Sequence, residues 1–268
     1  MKDGFLIKRY KGPHSNTVND VSISPDNQGF VSCGDERDIF FWDVTNARVI
    51  RRYLIVYSII QRVNSVCFNK EGTVFASGSY DTTVKLWDVR SHDRGGQCIQ
   101  TLPEAKDSIV SVILDETSII SGFSLVLALS YRSVDGSIRS YDIRAGMMNQ
   151  EQLNVPISSV SVSRDGQCYV ASTTSSTVVV LERTTGQLLN EYKSHRSEEY
   201  KIESIFNNTD AYVITGSEDG EIVVYDLVTA ERKAALKHHR LPVCSVAQHF
   251  ARNTLLAGSF DGTISVWD

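Results

Sequence analysis

Paired cysteines are missing from this chain. Its five cysteines, Cys33, Cys67, Cys98, Cys168 and Cys244, are odd in number, far apart and never in a C-x-x-C pair, so no disulfide framework is written into it. They fall in strand-like runs, where a reduced, buried thiol is the expected state, and that expectation points to cytoplasm and nucleus. No stretch approaches the roughly 18 apolar residues of a membrane span. Met1–Phe5 opens without the apolar run of a signal peptide. Positive charge is not in excess: 27 Lys and Arg stand against 32 Asp and Glu, a net charge of -5 in 268 residues. That balance argues against general phosphate-backbone binding. The basic residues are scattered, as in Arg48–Arg52 and Lys233–Arg240, rather than set among stacking aromatics, so no direct nucleic-acid contact is expected. Helical periodicity is scarce as well, which excludes a helical solenoid.

What is present is a phrase that returns. Phe260-Asp261-Gly262-Thr263-Ile264-Ser265-Val266-Trp267-Asp268 repeats Tyr80-Asp81-Thr82-Thr83-Val84-Lys85-Leu86-Trp87-Asp88 and Glu218-Asp219-Gly220-Glu221-Ile222-Val223-Val224-Tyr225-Asp226. A looser copy is Glu36-Arg37-Asp38-Ile39-Phe40-Phe41-Trp42-Asp43. Each copy is an acidic turn followed by an alternating strand that closes on an aromatic and an Asp. Recurrence about every 40–45 residues predicts an all-β fold, a WD-repeat β-propeller. Aligning on Trp42, Trp87, Tyr141, Leu181, Tyr225 and Trp267 gives six repeats, at 11–56, 57–103, 104–150, 151–193, 194–237 and 238–268, in one domain. The last repeat stops after its third strand. Phe5–Tyr10 reads as an orphan outer strand, and pairing it with Thr263–Trp267 would close the ring and remove a raw sheet edge.

Within each repeat a buried hydrogen-bonded set of His, Ser or Thr, Asp and Trp is expected to anchor the blade, because an unpaired buried polar group costs about 1–3 kcal/mol. The first repeat offers His14, Ser32 and Trp42, with Glu36 in the acidic place. The second offers Ser77, Asp81 and Trp87 without a histidine, and the third offers Asp135. The fifth offers His195, Thr215 and Asp219, with Tyr225 for Trp. The last offers His239, Asp261 and Trp267, with Ala257 where a hydroxyl belongs. The fourth has lost the set.

Ser, His and Asp together invite a hydrolase reading. It fails because a nucleophile needs a strained, exposed position and an oxyanion hole, whereas these serines lie inside strands of several repeats and no G-x-S-x-G occurs. The six histidines lack the spacing of a zinc site, and there is no phosphate-binding glycine loop. The chain reads as a non-enzyme with no cofactor and no metal. Two apolar segments break the repeat, 54–61 and 123–132, the second interposed between Ser121-Gly122 and Ser133-Val134-Asp135-Gly136. They read as exposed apolar loops that mark partner sites, as lengthened strands, or as translated non-coding sequence.

Segments between the repeats carry a more specific signal. They include Gln100-Thr101-Leu102-Pro103-Glu104-Ala105-Lys106-Asp107, Val134-Asp135-Gly136-Ser137-Ile138-Arg139-Ser140-Tyr141-Asp142-Ile143-Arg144, Ser163-Arg164-Asp165-Gly166-Gln167-Cys168 and Thr185-Gly186-Gln187-Leu188-Leu189-Asn190-Glu191-Tyr192-Lys193-Ser194-His195. In these the chain resembles the WD-repeat mitogen-activated protein kinase organiser family, also found as spliceosome-associated WD-repeat proteins. The resemblance implies seven repeats, of which the first is absent here except for its outer strand. It also implies a scaffold that binds components of the kinase cascade, of the splicing machinery, or both.

The expected function is therefore a non-enzymatic scaffold, a monomeric propeller within larger complexes, whose partners are proteins. The residues before each anchor Asp point from their turn toward one face of the disc, and aromatics there are the best contacts. Tyr80, Glu218 and Phe260 are the candidates. An alternative is a substrate receptor of a cullin-type ubiquitin ligase. Its W-D-x-R motif is met by Trp87-Asp88-Val89-Arg90 and nearly by Tyr141-Asp142-Ile143-Arg144, with Arg90 and Arg144 docking by charge-assisted hydrogen bonds.

Overall fold

The computed structural model describes residues 7–54, 62–91, 98–103, 105–118, 125–133, 136–142, 147–153, 155–249 and 252–268. Among them all regular structure is strand. Two compact units form, Phe5–Leu153 and Asn154–Asp268, and each holds three antiparallel meanders.

In the first unit, β1 (Val18–Ile23), β2 (Gly29–Gly34), β3 (Asp38–Asp43) and β4 (Arg48–Leu54) make one sheet. The next is β5 (Val63–Phe68), β6 (Val74–Ser79), β7 (Val84–Asp88) and β8 (Cys98–Leu102). The third is β9 (Ile109–Ser118), β10 (Leu125–Ser133), β11 (Ser137–Asp142) and β12 (Met147–Gln152). The second unit has β13 (Ile157–Val162), β14 (Cys168–Thr173), β15 (Val178–Glu182) and β16 (Leu188–Tyr192), then β17 (Ser204–Phe206), β18 (Tyr212–Gly216), β19 (Glu221–Asp226) and β20 (Arg232–Lys237). Its last sheet has three strands, β21 (Val243–Gln248), β22 (Leu255–Ser259) and β23 (Ile264–Trp267).

The recurring phrase forms the hairpin between the second and third strands. In three of the copies its turn holds one residue in the left-handed region. Gly220 and Gly262 take φ of 77° and 79° there, and Thr82 is held at 69° in the equivalent place, a conformation a β-branched residue adopts only under constraint.

Within each unit an inner strand packs its apolar side on the middle strands of the sheet before it. Val63, Val66 and Phe68 of β5 cluster with Val31, Cys33 and Ile39. Ile109, Val112 and Leu114 of β9 cluster with Ala76, Val84 and Leu86. Val243 and Val246 of β21 cluster with Ile214 and Ile222. Polar ties between inner strands repeat at the same places: Asn19 Nδ2 donates to Val63 O at 2.9 Å, Asn64 Nδ2 to Ile109 O at 2.7 Å, and Ser158 Oγ to Ile202 O at 3.0 Å.

Two expectations fare differently from the rest. Over Ile7–Tyr10 no strand forms, and β23 has β22 as its described partner. Ile7–Tyr10 instead lies on the first sheet. Lys8 Nζ and Tyr10 OH bond to Val44 O at 3.2 and 3.0 Å, and the Tyr10 ring meets Phe30 and Trp42 edge-on. An aromatic packed against two others outweighs a short edge strand. Phe5 and Leu6 lie outside the described residues. The apolar segment 123–132 is, over Leu125–Arg132, a lengthened strand: β10 pairs with β9 from Leu125↔Ser118 to Ser133↔Ile109. The expected strand phrase at Ser121-Gly122, the segment 55–61, Asp135 and Arg144 lie outside the described residues.

Candidate protein-interaction surface

The first sheet assembles the whole expected set. Trp42 Nε1 donates to Ser32 Oγ at 2.7 Å, Ser32 Oγ meets His14 Nε2 at 2.7 Å, and His14 Nδ1 meets Glu36 Oε2 at 2.9 Å. Because a carboxylate only accepts, Nδ1 carries the proton and Nε2 accepts from the serine. Glu36 also takes the backbone N–H groups of Ser15 and Asn16, each at 2.6 Å. Burial alone would raise its pKa, but the hydrogen bonds from His14, Asn16 and Ser15 outweigh it and hold the carboxyl at about 2. The second sheet keeps Trp87 Nε1 on Ser77 Oγ at 2.9 Å. There Asp81 caps its own turn, accepting from Thr83 N at 3.0 Å and Thr83 Oγ1 at 2.6 Å.

The last sheet rebuilds the set with a different hydroxyl. Trp267 Nε1 donates to Ser265 Oγ at 2.9 Å, Ser265 Oγ meets His239 Nε2 at 2.8 Å, and His239 Nδ1 meets Asp261 Oδ2 at 3.0 Å. Ser265 stands directly across the ladder from Ala257, so the hydroxyl has moved from the second strand to the third. The Thr263 hydroxyl and backbone N–H, together with His239, hold the Asp261 carboxyl below the usual carboxylate range.

The fifth repeat does not assemble its expected set. His195 Nδ1 reaches only Tyr225 OH, at 3.3 Å, and its Nε2 is buried without a partner. Burial pushes this imidazole down to about 4. Asp219 Oδ2 receives the Ser217 hydroxyl at 3.5 Å and does not bond to His195. The physical cause is Tyr225 in place of Trp: its polar atom sits at the far end of the ring, beside Ser194 and His195, and leaves Thr215 without a ring N–H. Thr215 joins a buried row of hydroxyls instead. Ser159 Oγ meets Ser172 Oγ at 3.1 Å, Ser172 meets Ser204 at 2.5 Å, Ser204 donates to Thr215 Oγ1 at 2.8 Å, and Thr215 donates to Gly216 O at 3.0 Å.

Glu218, expected at a partner surface, is turned inward. Its side chain is 5% exposed. One oxygen accepts the N–H groups of Glu198, Glu199 and Tyr200 at 2.7, 2.7 and 3.0 Å, and Arg196 Nε stands 3.5 Å from the other. Burial opposes ionisation, but the three backbone donors and Arg196 lower its pKa. Glu218 thus does for the 196–200 loop what Glu36 does for residues 14–16.

The loop so held presents Tyr200, a residue that lies outside the repeating phrase. Its ring contacts Phe260, centroids 5.0 Å apart and planes at 49°. Both rings are about half exposed, as are Leu241 beside them and Tyr80 in the first unit. Arg90 is exposed after a turn in which its N–H donates to Asp88 Oδ1 at 2.8 Å. By contrast, the hydrolase-like His14, Ser32, His239 and Ser265 are committed to one another and to tryptophan.

Repeating acidic-turn hairpins, four-stranded meanders and a His–hydroxyl–Trp anchor define a WD-repeat β-propeller, and the chain belongs to that family: the WD domain, G-beta repeat, matches residues 4–43, 56–88, 186–226 and 230–268. Among its relatives, the WD repeat domain-containing protein 83 homolog of Dictyostelium discoideum is 33% identical over 99% of this chain and 85% of that protein. WD repeat domain-containing protein 83 of Rattus norvegicus is 37% identical over 63% of this chain and 50% of the rat protein, so this chain spans about half of it. Autophagy-related protein 16 of Arabidopsis thaliana is 24% identical over 98% of this chain and 50% of its own length.

Proposed function

We propose that the protein is a non-enzymatic scaffold that docks partner proteins on its exposed turns, with Tyr200 and Phe260 as the main contacts in the second unit and Tyr80 in the first. The observation that carries this reading is the Tyr200–Phe260 pair, an exposed ring on the loop that Glu218 clamps set against an exposed ring on the β22–β23 turn. Aromatics held this way bury area on binding at little entropic cost. Two partners on one chain meet at raised local concentration without new chemistry. The family resemblance supplies the partner class: components of the mitogen-activated kinase cascade, of the spliceosome, or both, in cytoplasm and nucleus. The test is a tagged pulldown from nuclear and cytosolic fractions with Tyr200→Ala and Phe260→Ala. Loss of partners at an unchanged melting temperature supports the reading, and full retention by the double variant sinks it. A second reading, a cullin-type ligase receptor, draws on the exposed Arg90. It requires that Arg90→Ala abolish capture of the ligase adaptor while the aromatic variants leave that capture intact.

A further inference from the structure

The second unit holds a cavity of about 370 Å³ at the end of its inner strands away from the Phe260 turn. Register places Val243 against Ser259, beside that turn, and Gln248 against Leu255, at the other end. The last residues of β13, β17 and β21 line the cavity together with the loops after β13 and β17, and every described lining residue belongs to the second unit. Val162, Ile205, Val246 and Ala247 give it an apolar side. Its volume is in the range of sites that take small ligands or a short end of chain.

The polar side is built around Asn208. Gln248 Oε1 accepts the Asn208 N–H at 3.0 Å, and Arg164 Nη1 donates to Asn208 O at 3.0 Å. Arg164 is itself set by Asp210, whose carboxylate accepts the Arg164 and Asp165 N–H groups at 3.0 and 3.3 Å. The Asn208 amide is oriented by its donor end, since Nδ2 reaches Arg252 O and Asn253 Oδ1, each at 3.3 Å. Among the described residues this cluster keeps unsatisfied capacity. Asn208 Oδ1 is buried and receives no hydrogen bond. The Gln248 amide nitrogen, a donor, has no acceptor, and the exposed Arg164 guanidinium has no carboxylate within ion-pair distance. A buried acceptor without a donor is costly, so a ligand N–H gains most there.

We infer that this cavity binds the C-terminus of a partner chain that ends in an aliphatic residue. A ligand that completes the cluster must donate one N–H, carry a negative charge on acceptor oxygens and bring an apolar group. The last residue of a peptide has all of these in one unit. Its N–H donates to Asn208 Oδ1, its α-carboxylate accepts from Arg164 and Gln248 Nε2 in charge-assisted hydrogen bonds, and its side chain lies against Val162, Ile205 and Val246. An internal peptide segment lacks the charge, and a simple anion lacks both the donor and the apolar group. Capture of a terminal carboxylate by convergent donors is a general mode of peptide recognition. The cavity gives the scaffold a docking site of its own at the opposite end of the sheets from Phe260, and it does not rest on the Tyr200–Phe260 pair.

Fluorescence anisotropy with the full-length chain and a labelled peptide, Gly-Ser-Gly-Ala-Val, tests it. The free acid is expected to bind saturably and its C-terminal amide about tenfold or more weaker, the loss of one hydrogen bond to a charged group. That comparison is made on the wild-type chain and needs no variant to fold. Arg164→Gln should bring the acid down to the level of the amide. Gln248→Glu keeps an oxygen for the Asn208 N–H but puts a carboxylate where the free donor stood, so it should abolish capture of the acid at an unchanged melting temperature. Aspartate in place of the terminal valine of the peptide should also lose binding. An acid and an amide that bind alike overturn the inference. So does a wild-type chain that captures neither peptide, or an Arg164→Gln chain that still prefers the acid as strongly.

Discussion

The first and fifth repeats contain the same kinds of residue and build different things from them. His14 is tied at both nitrogens, between Ser32 and Glu36, and the chain of bonds ends on Trp42. His195 is tied at one nitrogen, to Tyr225, and its carboxylate neighbour faces elsewhere. Tyr for Trp at the anchor, with Asp219 for Glu36 in the acidic place and Thr215 for Ser32, separates the two outcomes. A Trp N–H sits on the flank of its ring, where a strand hydroxyl can receive it. A Tyr hydroxyl sits at the tip. The presence of a motif's residue types is therefore weaker than the position of their polar atoms.

Truncation of the two anchors should break the comparison most visibly. Trp42→Ala is expected to cost about 3–5 kcal/mol, the usual range for a large buried aromatic, and to free Ser32 and His14 together. Tyr225→Ala should cost a similar packing penalty while leaving Thr215 bonded. Chemical unfolding with hydrogen exchange at the two strands separates the cases.

Acid sharpens it next. The imidazole of His195 lies at about 4 in the fold against an ordinary 6.5. A histidine so depressed contributes stability that is intact above its unfolded value and is lost as pH falls toward the folded one, because only the unfolded chain takes up the proton. Going from about pH 7 to about pH 5 should cost about 2 kcal/mol. The urea midpoints at the two values should draw together in His195→Gln. Glu36, held near 2, acts lower: its contribution persists until pH drops below the ordinary carboxylate range.

The relocated hydroxyl of the last repeat gives a smaller and more pointed effect. Ser265→Ala should cost about 1–2 kcal/mol by stranding His239 and Trp267. Adding Ala257→Ser, from across the ladder, should restore most of the loss in thermal unfolding. No rescue would mean the serine is not interchangeable between the two strands. The smallest effect belongs to Asp219. With one long contact to Ser217, Asp219→Asn should change stability by no more than about 0.5 kcal/mol, whereas Glu36→Gln should cost visibly more.

Much of this fold could be read from the chain. The phrase fixed the second and third strands, since an acidic turn and an alternating run have few other conformations. The first network was legible because its four members keep the spacing of the repeat. Ser265 was not, because seeing it needs the strand register that puts it opposite Ala257. Whether a turn carboxylate faces in or out depends on the loop it meets: the sequence puts Glu218 at a contact surface because the reach of residues 198–200 is invisible in one dimension. Tyr200 was missed for the complementary reason, since it belongs to that loop and not to the phrase. The closing strand expected over Phe5–Tyr10 does not form over Ile7–Tyr10, because Tyr10 meets the rings of Phe30 and Trp42 and not an edge.

The row of hydroxyls from Ser159 to Thr215 has a sense of direction. Thr215 spends its hydrogen on Gly216 O, so it must accept from Ser204. Ser204 has then no hydrogen left for Ser172, which must donate to it, and Ser159 must donate to Ser172 while accepting the Ser204 N–H at 3.1 Å. One carbonyl at the end of the row thus settles the orientation of four buried protons across two sheets, and a free rotor at each residue becomes a single arrangement. Thr215→Val would leave the Ser204 hydrogen without an acceptor and reopen every choice behind it. Deletions along the row should therefore not add: the first removes the order, and the later ones find little left to lose.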